Sequence, residues 1–188
     1  MKCWSIPVGV LETNCYVITE DDSNCVIVDP GADPDAILSF LRDHELTCSG
    51  VLLTHGHDDH IGALRDIISN TDAEVWIGKE DAYRLSSAPD HTVKDGDMID
   101  LAGMSFFVVA VPGHTEGSVL YLYDNIMFSG DTLFYRSIGR TDLPGGNWNS
   151  MQHSLKKILD LSGDYHVLPG HGPSTVLSNE KERNPFLL

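Results

Sequence analysis

Val51-Leu52-Leu53-Thr54-His55-Gly56-His57-Asp58-Asp59-His60 is the stretch around which the rest of the chain is organised. Its opening apolar run reads as a strand covered on both faces. Five side chains able to bind or orient a transition metal then follow within six residues. His55 and His57 are two apart, so continued strand geometry projects them to one side. Gly56 loosens the backbone, and Asp59 and His60 fall where a helix is predicted to begin, running over Ile61-Gly62-Ala63-Leu64-Arg65-Asp66-Ile67-Ile68. A helix start turns free N–H groups outward and suits acids such as Asp58 and Asp59. One imidazole pair thus faces one point and a carboxylate–imidazole pair another, an arrangement that suits two metals better than one. A single histidine in such a place is usually a solvated or capping residue. Three His and two Asp together are poorly explained that way.

The chain, at 188 residues, is long enough to bury a proper core and is read as one domain, 1–188. Its 41% hydrophobic and 21% charged residues give an ordinary globular profile rather than a disordered one. The formal charge of −16 argues against nucleic acid or an anionic membrane as partner, since both require an excess of Lys and Arg. Small anionic substrates stay in range, because a pair of bound divalent cations reverses the field locally. Cys3, Cys15, Cys25 and Cys48 show no C-x-x-C spacing and lie in or beside apolar runs, as reduced, buried thiols do. The start, Met1-Lys2-Cys3-Trp4-Ser5-Ile6-Pro7, has no apolar leader region, and no run approaches a membrane span. A cytoplasmic protein is expected.

Strands are predicted over 3–8, 14–20 and 24–29, the last two joined by the polar turn Glu20-Asp21-Asp22-Ser23. Asp33-Pro34 opens a helix over about 34–43. Strand 51–53 and its helix follow, then strand 74–77 and a polar helical stretch from Lys79. Residues 86–97 read as a flexible loop. Strands resume at 104–111, 118–123 and 125–129, with a tight hairpin at Asp124-Asn125. A helix over about 149–160 and a strand at 165–168 complete the pattern. It repeats roughly between halves, so two mixed sheets packed face to face with helices outside would gather the strand ends along one edge.

Three further segments share one local form, an apolar strand followed by Gly and a metal-type side chain: Val111-Pro112-Gly113-His114, Phe128-Ser129-Gly130-Asp131 and Leu168-Pro169-Gly170-His171. Gly there permits a sharp turn and close backbone approach. His44, His91, His153 and His166 lack such neighbours and read as ordinary, partly exposed histidines.

The set His55-x-His57-x-Asp59-His60, His114, Asp131 and His171, with the Asp29-Pro30-Gly31 strand end, resembles the metallo-β-lactamase superfamily over essentially the whole chain. Pro112-Gly113-His114-Thr115-x-Gly117-Ser118, Gly130-Asp131-Thr132-Leu133-Phe134, the 137–146 segment and the Asn184-Pro185-Phe186-Leu187 tail are similar to the short, bacterial, glyoxalase II (hydroxyacylglutathione hydrolase)-like proteins. The resemblance implies an α/β fold, the αββα sandwich of two mixed sheets flanked by helices. It implies one metal on His55, His57 and His114, a second on Asp59, His60 and His171, and Asp131 bridging. Asp29 is expected to orient the ligand loops rather than to ligate. The best-known zinc β-lactamases carry Cys where this chain has Asp131, which argues against antibiotic hydrolysis. Glu116 stands where the family often has Pro, in a turn beside His114.

Five imidazoles and two carboxylates against two divalent ions leave surplus positive charge, which favours a bridging hydroxide near neutral pH, since a metal lowers the pKa of water from ~15.7 to about 7. That hydroxide is expected to attack a carbonyl, with the ions holding the oxyanion and Asp59 as catalytic residue accepting the hydroxide's hydrogen bond. No spare acid stands ready to protonate an amine, whereas a thiol of pKa about 8.5 leaves as thiolate. The substrate expected is therefore a small thioester or reactive ester. Imidazole and carboxylate suit zinc, the first expectation, and also iron and manganese. Larger glyoxalase II enzymes use a C-terminal helical domain to bind glutathione; this chain ends 17 residues after His171, which leaves Tyr135, Arg136, Arg140 and the 136–147 loop for the pocket. For Arg140 a loop-holding salt bridge is an equal reading. Gly139-Arg140-Thr141-Asp142 is also similar to persulfide dioxygenases, with one iron on His55, His114 and Asp131. A non-catalytic metal module is a further alternative, but structural zinc sites are usually closed by four ligands.

Overall fold

The computed structural model describes residues 1–187. The first half forms a six-stranded sheet of β1 (Lys2–Val8), β2 (Thr13–Thr19), β3 (Asn24–Val28), β4 (Thr47–Leu53), β5 (Glu74–Gly78) and β6 (His91–Val93), in that spatial order. β1 to β3 run antiparallel as a meander, and β3 to β6 pair in parallel. The second sheet has the order β14-β13-β10-β9-β8-β7, from β7 (Met98–Leu101), β8 (Met104–Ala110), β9 (Val119–Tyr123), β10 (Ile126–Gly130), β13 (His166–Pro169) and β14 (Thr175–Val176). It too is mixed, since β10 and β13 are parallel while the remaining pairs are antiparallel. A two-stranded hairpin, β11 (Leu133–Phe134) with β12 (Ser137–Ile138), stands apart.

The alternation of side chains along each strand builds three apolar layers. Val26, Val28 and Leu52 of the first sheet meet Phe106, Tyr121 and Phe128 of the second between the sheets. Cys25, Ile27, Val51 and Leu53 point the other way, under Ile37 and Leu41 of α1 (Pro34–Asp43) and Leu64 and Ile67 of α3 (Leu64–Asn70). On the far side Val109, Leu120 and Met127 pack beneath Met151, Leu155 and Ile158 of α4 (Trp148–Leu159). Helix, sheet, sheet, helix is the order of the layers, the αββα sandwich expected. α4 starts where the Asn147 side chain accepts from the Ser150 N–H (3.0 Å), satisfying one free donor of its first turn.

Four sequence expectations need correction. Residues 86–97 contain strand β6, whose Val93 is buried and whose His91 stacks on Trp76 at 4.5 Å; pairing to β5 overrides the turn-rich composition around it. The helix after the histidine cluster is broken into α2 (Asp58–Ile61) and α3, where the Ala63 N–H donates to the Pro30 carbonyl (3.0 Å) in place of a helical partner and Gly62 lies close against the Gly31 carbonyl. The stretch from Lys79 is a 3-10 turn, Lys79–Arg84. β4 is longer than expected, and β7, β11, β12, β14 and α5 (Leu177–Arg183) were not foreseen. The other elements lie within a residue or two of their expected places. The four cysteines are free, and Cys15, Cys25 and Cys48 are buried. Among the described residues no helix is long and apolar enough to cross a membrane.

The two sheets are fastened to each other at one edge. Tyr121 donates its hydroxyl across the core to the Leu53 carbonyl (2.9 Å), and the Val119 N–H reaches the Thr54 carbonyl (2.9 Å). Tyr16 donates to the Pro169 carbonyl (2.7 Å), and the Asn14 amide donates to the carbonyls of Pro169 (3.0 Å) and Gly172 (2.9 Å). The ends of β4, β8, β10 and β13 thereby come together.

Candidate metal centre

Each of those strand ends delivers one or more of the seven expected ligands. β4 runs into His55 and His57, α2 presents Asp59 and His60, and the turns after β8, β10 and β13 present His114, Asp131 and His171. Donor atoms within 4.8 Å of one another form three overlapping groups: His55, His57 and His114; Asp59, His60 and His171; and His55, His60 and Asp131. Asp58 is exposed at the start of α2 and stays outside. Gly170 is required by closeness, since a Cβ there would lie 2.3 Å from Asp131 Oδ1 and 2.5 Å from His60 Cε1.

The backbone and neighbouring side chains decide which ring nitrogens face inward. His114 Nδ1 donates to the Arg140 carbonyl (2.8 Å), and His171 Nδ1 to the Leu11 carbonyl (3.2 Å). His60 Nδ1 donates to Asp29 Oδ2 (2.9 Å). Thr54 Oγ1 donates to the same carboxylate oxygen (2.6 Å), which leaves it free to accept from His55 Nδ1 (3.2 Å). With Nδ1 committed outward, these four rings turn Nε2 toward the cluster, the orientation a metal ligand needs.

His55 Nε2, His60 Nε2 and Asp131 Oδ1 are buried and unsatisfied by any hydrogen bond, His60 Nε2 and Asp131 Oδ1 facing each other at 3.4 Å. Buried polar atoms left so cost about 1–3 kcal/mol each. His57 Nδ1 stands 2.9 Å from His114 Nε2, an approach of ring nitrogens that needs a shared proton or cation between them. His171 Nε2 lies 3.1 Å from Asp59 Oδ2 and 3.5 Å from Asp131 Oδ2, and His114 Nε2 lies 3.5 Å from the same oxygen. Ligands about 2.0–2.1 Å from a tetrahedral zinc ion sit roughly 3.3 Å apart. The residues fit metal ions, and Asp131 alone among the carboxylates reaches donors of both halves.

The two halves differ electrostatically. Burial, reinforced by neighbouring imidazoles, pushes His55 and His57 below the usual histidine range, so both are neutral donors. Burial would lower His60 as well, but the Asp29 and Asp131 carboxylates outweigh it and raise the ring to about 10. The Asp59 hydrogen bond raises His171. Despite burial, their imidazole partners hold Asp59 and Asp131 below the ordinary carboxylate range. The second half therefore draws positive charge into itself.

Asp29, expected to orient the ligand loops, lies buried and accepts from Thr54 N–H (2.8 Å), Thr54 Oγ1 and His60. The Arg140 side chain is exposed and paired with Asp142 (2.7 and 2.8 Å), the loop-holding alternative; only its carbonyl enters the centre. Tyr135 is half exposed under the Arg136 guanidinium, and its neighbour Phe134, not Tyr135, approaches His171, with rings 6.3 Å apart. His44, His91, His153 and His166 are exposed and away from the cluster. Sequence reasoning missed Asp81, a wholly buried carboxylate that accepts from Gly56 N–H (2.8 Å), Thr115 Oγ1 (2.7 Å) and Gly117 N–H (3.0 Å).

Known proteins share this fold and about a third of this sequence. A hydroxyacylglutathione hydrolase, GloC of Haemophilus influenzae, is 32% identical, covering 97% of this chain and 96% of its own length. Among solved structures, the BLEG-1 B3 metallo-β-lactamase superposes with a TM-score of 0.95 at 36% identity, over 99% of each chain. ETHE1 from Myxococcus xanthus gives 0.90 at 32% identity, over 98% of this chain and 84% of that one. The profile of the metallo-β-lactamase superfamily spans residues 8–171, from the end of β1 to the last of the clustered histidines, and the chain belongs to that superfamily.

Proposed function

We propose that this protein is a dinuclear metal-dependent hydrolase of small thioesters, hydroxyacylglutathione-like, or of reactive esters. The observation that carries the reading is the pair of donor groups sharing Asp131, with orphaned, inward-facing nitrogens on both sides. One divalent ion would be held by His55, His57 and His114, a second by Asp59, His60 and His171, with Asp131 between. Zinc suits this set, as do iron and manganese. When bound, such ions polarise a carbonyl and make water a competent nucleophile near neutral pH.

The remaining work falls to the chain. Asp59, partly exposed at the mouth of the cluster, would accept the hydrogen bond of the attacking water at Oδ2. Asp29, Thr54 and the Arg140 and Leu11 carbonyls keep the imidazoles in the tautomers that leave Nε2 free. None of the remaining four histidines lies near the cluster to serve as general acid, which favours a leaving group that departs as thiolate.

The similarity to ETHE1 favours a second reading, a mononuclear iron oxidoreductase on His55, His114 and Asp131. It leaves Asp59, His60 and His171 converged without use. Metal analysis of the purified protein, beside hydrolysis of lactoylglutathione, simple esters and a β-lactam and oxygen uptake with a persulfide, separates these readings. Two ions per chain and thioester cleavage well above the other activities are expected. One iron per chain with oxygen uptake would overturn the proposal, and preferential β-lactam opening would replace its substrate.

A further inference from the structure

Lys79-Glu80-Asp81 opens the stretch expected from sequence to be polar and helical, and Lys79 and Glu80 are exposed. Asp81 is not: it is 0% exposed, sealed against two loops that belong to different sheets. Its Oδ2 accepts from the N–H of Gly56, between His55 and His57, and from the hydroxyl of Thr115, next to His114. Its Oδ1 accepts from Gly117 N–H and faces Arg84 Nε at 3.5 Å. We infer that Asp81 is the positioning residue of the three-imidazole half, fixing the spacing of His57 and His114 by tying their loops to one carboxylate. This rests on the reading of the cluster as a metal centre.

The surroundings are built for a carboxylate. The Thr115 N–H donates to Ser118 Oγ (3.1 Å), and the two hydroxyls are 2.7 Å apart. Asp81 can only accept, so the Thr115 hydroxyl must donate to it and the Ser118 hydroxyl must donate to Thr115. A Cβ on Gly117 would lie 2.4 Å from the Asp81 nitrogen and 2.7 Å from its Cγ. Thr115-x-Gly117-Ser118, a motif without ligands of its own, is thereby explained as the receptacle for Asp81. Asparagine has the right shape but must turn an NH2 group either to Gly56 and Thr115 or to Gly117 and Arg84. Both faces are already occupied by donors. Asp81 has no hydrogen bond to Asp59, His60 or His171, which rely on Asp29 and the Leu11 carbonyl. Its effect should accordingly be confined to one half.

The experiment is a titration of metal-free protein with Co(II), followed by its visible spectrum, in wild type, Asp81→Asn, Asp59→Ala, and Asp59→Ala carrying Asp81→Asn. The Asp59→Ala background isolates the three-imidazole half. Asp81→Asn is expected to weaken cobalt binding there by about 10–100-fold and to alter the ligand-field bands. In wild-type background the same substitution should leave the second half's affinity unchanged. Equal weakening of both halves, or unchanged binding and spectrum, would overturn the inference while leaving the metal centre intact. Failure of wild type to bind two ions would instead remove the reading on which it rests. Should Asp81→Asn fail to fold, Thr115→Val removes one of the donors with little change of shape, and must still weaken the three-imidazole half selectively; if it does not, the inference falls.

Discussion

His55 and His57, both pushed below the usual histidine range, converge with His114 in one half, while Asp59, His60 and His171 mix carboxylate with rings held in a field of acids. Two buried aspartates serve the halves unequally: Asp81 ties the loops of the first half alone, whereas Asp29 holds His60 and also, through Thr54, reaches His55. Asp81 binds the loops of the first half mainly through backbone N–H groups and one hydroxyl, touching no ligand ring. Asp29 bonds directly to the His60 ring. Equivalent ligand counts can therefore be held in place by geometry on one side and by charge on the other, and the two should respond differently to mutation, pH and metal supply.

The largest effect should come from the residue common to both. Asp131→Ala is expected to lower metal content in both halves and activity by more than about 100-fold, whereas Asp59→Ala should mainly empty the second; unchanged elemental analysis of the purified variants would refute the shared role. Next, Asp29→Asn takes from His60 its anionic partner. It should weaken the second half by about 10–100-fold and the first half less, through Thr54 and His55, as read by metal titration. If both substitutions struck both halves alike, the contrast would dissolve.

Acidity separates the halves further. His60 is raised to about 10 in the metal-free fold, against an ordinary value near ~6.5, so its stabilising contribution is complete below about pH 6.5 and disappears as pH rises through about 10. Metal-loaded protein should behave oppositely, losing its stabilisation toward acid as protons compete for the same nitrogens. Thermal unfolding of both forms between pH 6 and 10 should give slopes of opposite sign. The smallest effect is expected at Arg140, whose side chain meets only Asp142. Arg140→Gln should leave metal content alone and let the Asp142 carboxyl, held at about 2 chiefly by that guanidinium's hydrogen bonds, rise toward its ordinary value in an NMR titration. A raised KM with unchanged kcat would instead make Arg140 a substrate contact.

Much of this was legible in the chain itself because the chemistry is local. His55, His57, Asp59 and His60 are adjacent, and His114, Asp131 and His171 each follow a glycine at the end of an apolar strand. Asp29 announced itself at a strand end before Pro-Gly. Asp81 could not, since its partners are 25, 34 and 36 residues distant and only tertiary packing makes them neighbours. Arg140 was noticed for its side chain, yet what enters the centre is its carbonyl, which every residue possesses. β6 escaped for a related reason: three residues among Pro, Asp and Gly become a strand only because β5 offers an open edge.

The Asn14 clamp on the 169–172 turn joins residues 155 and 158 apart in sequence. Closing so long a loop is entropically slow, so this contact belongs to the late stages of folding. His171 depends on the clamped turn, whereas His55, His57 and His114 are gathered by shorter connections. A refolding chain given scarce metal should accordingly capture its first ion on the imidazole trio, and the order of loading would be written by chain topology before affinity has any say.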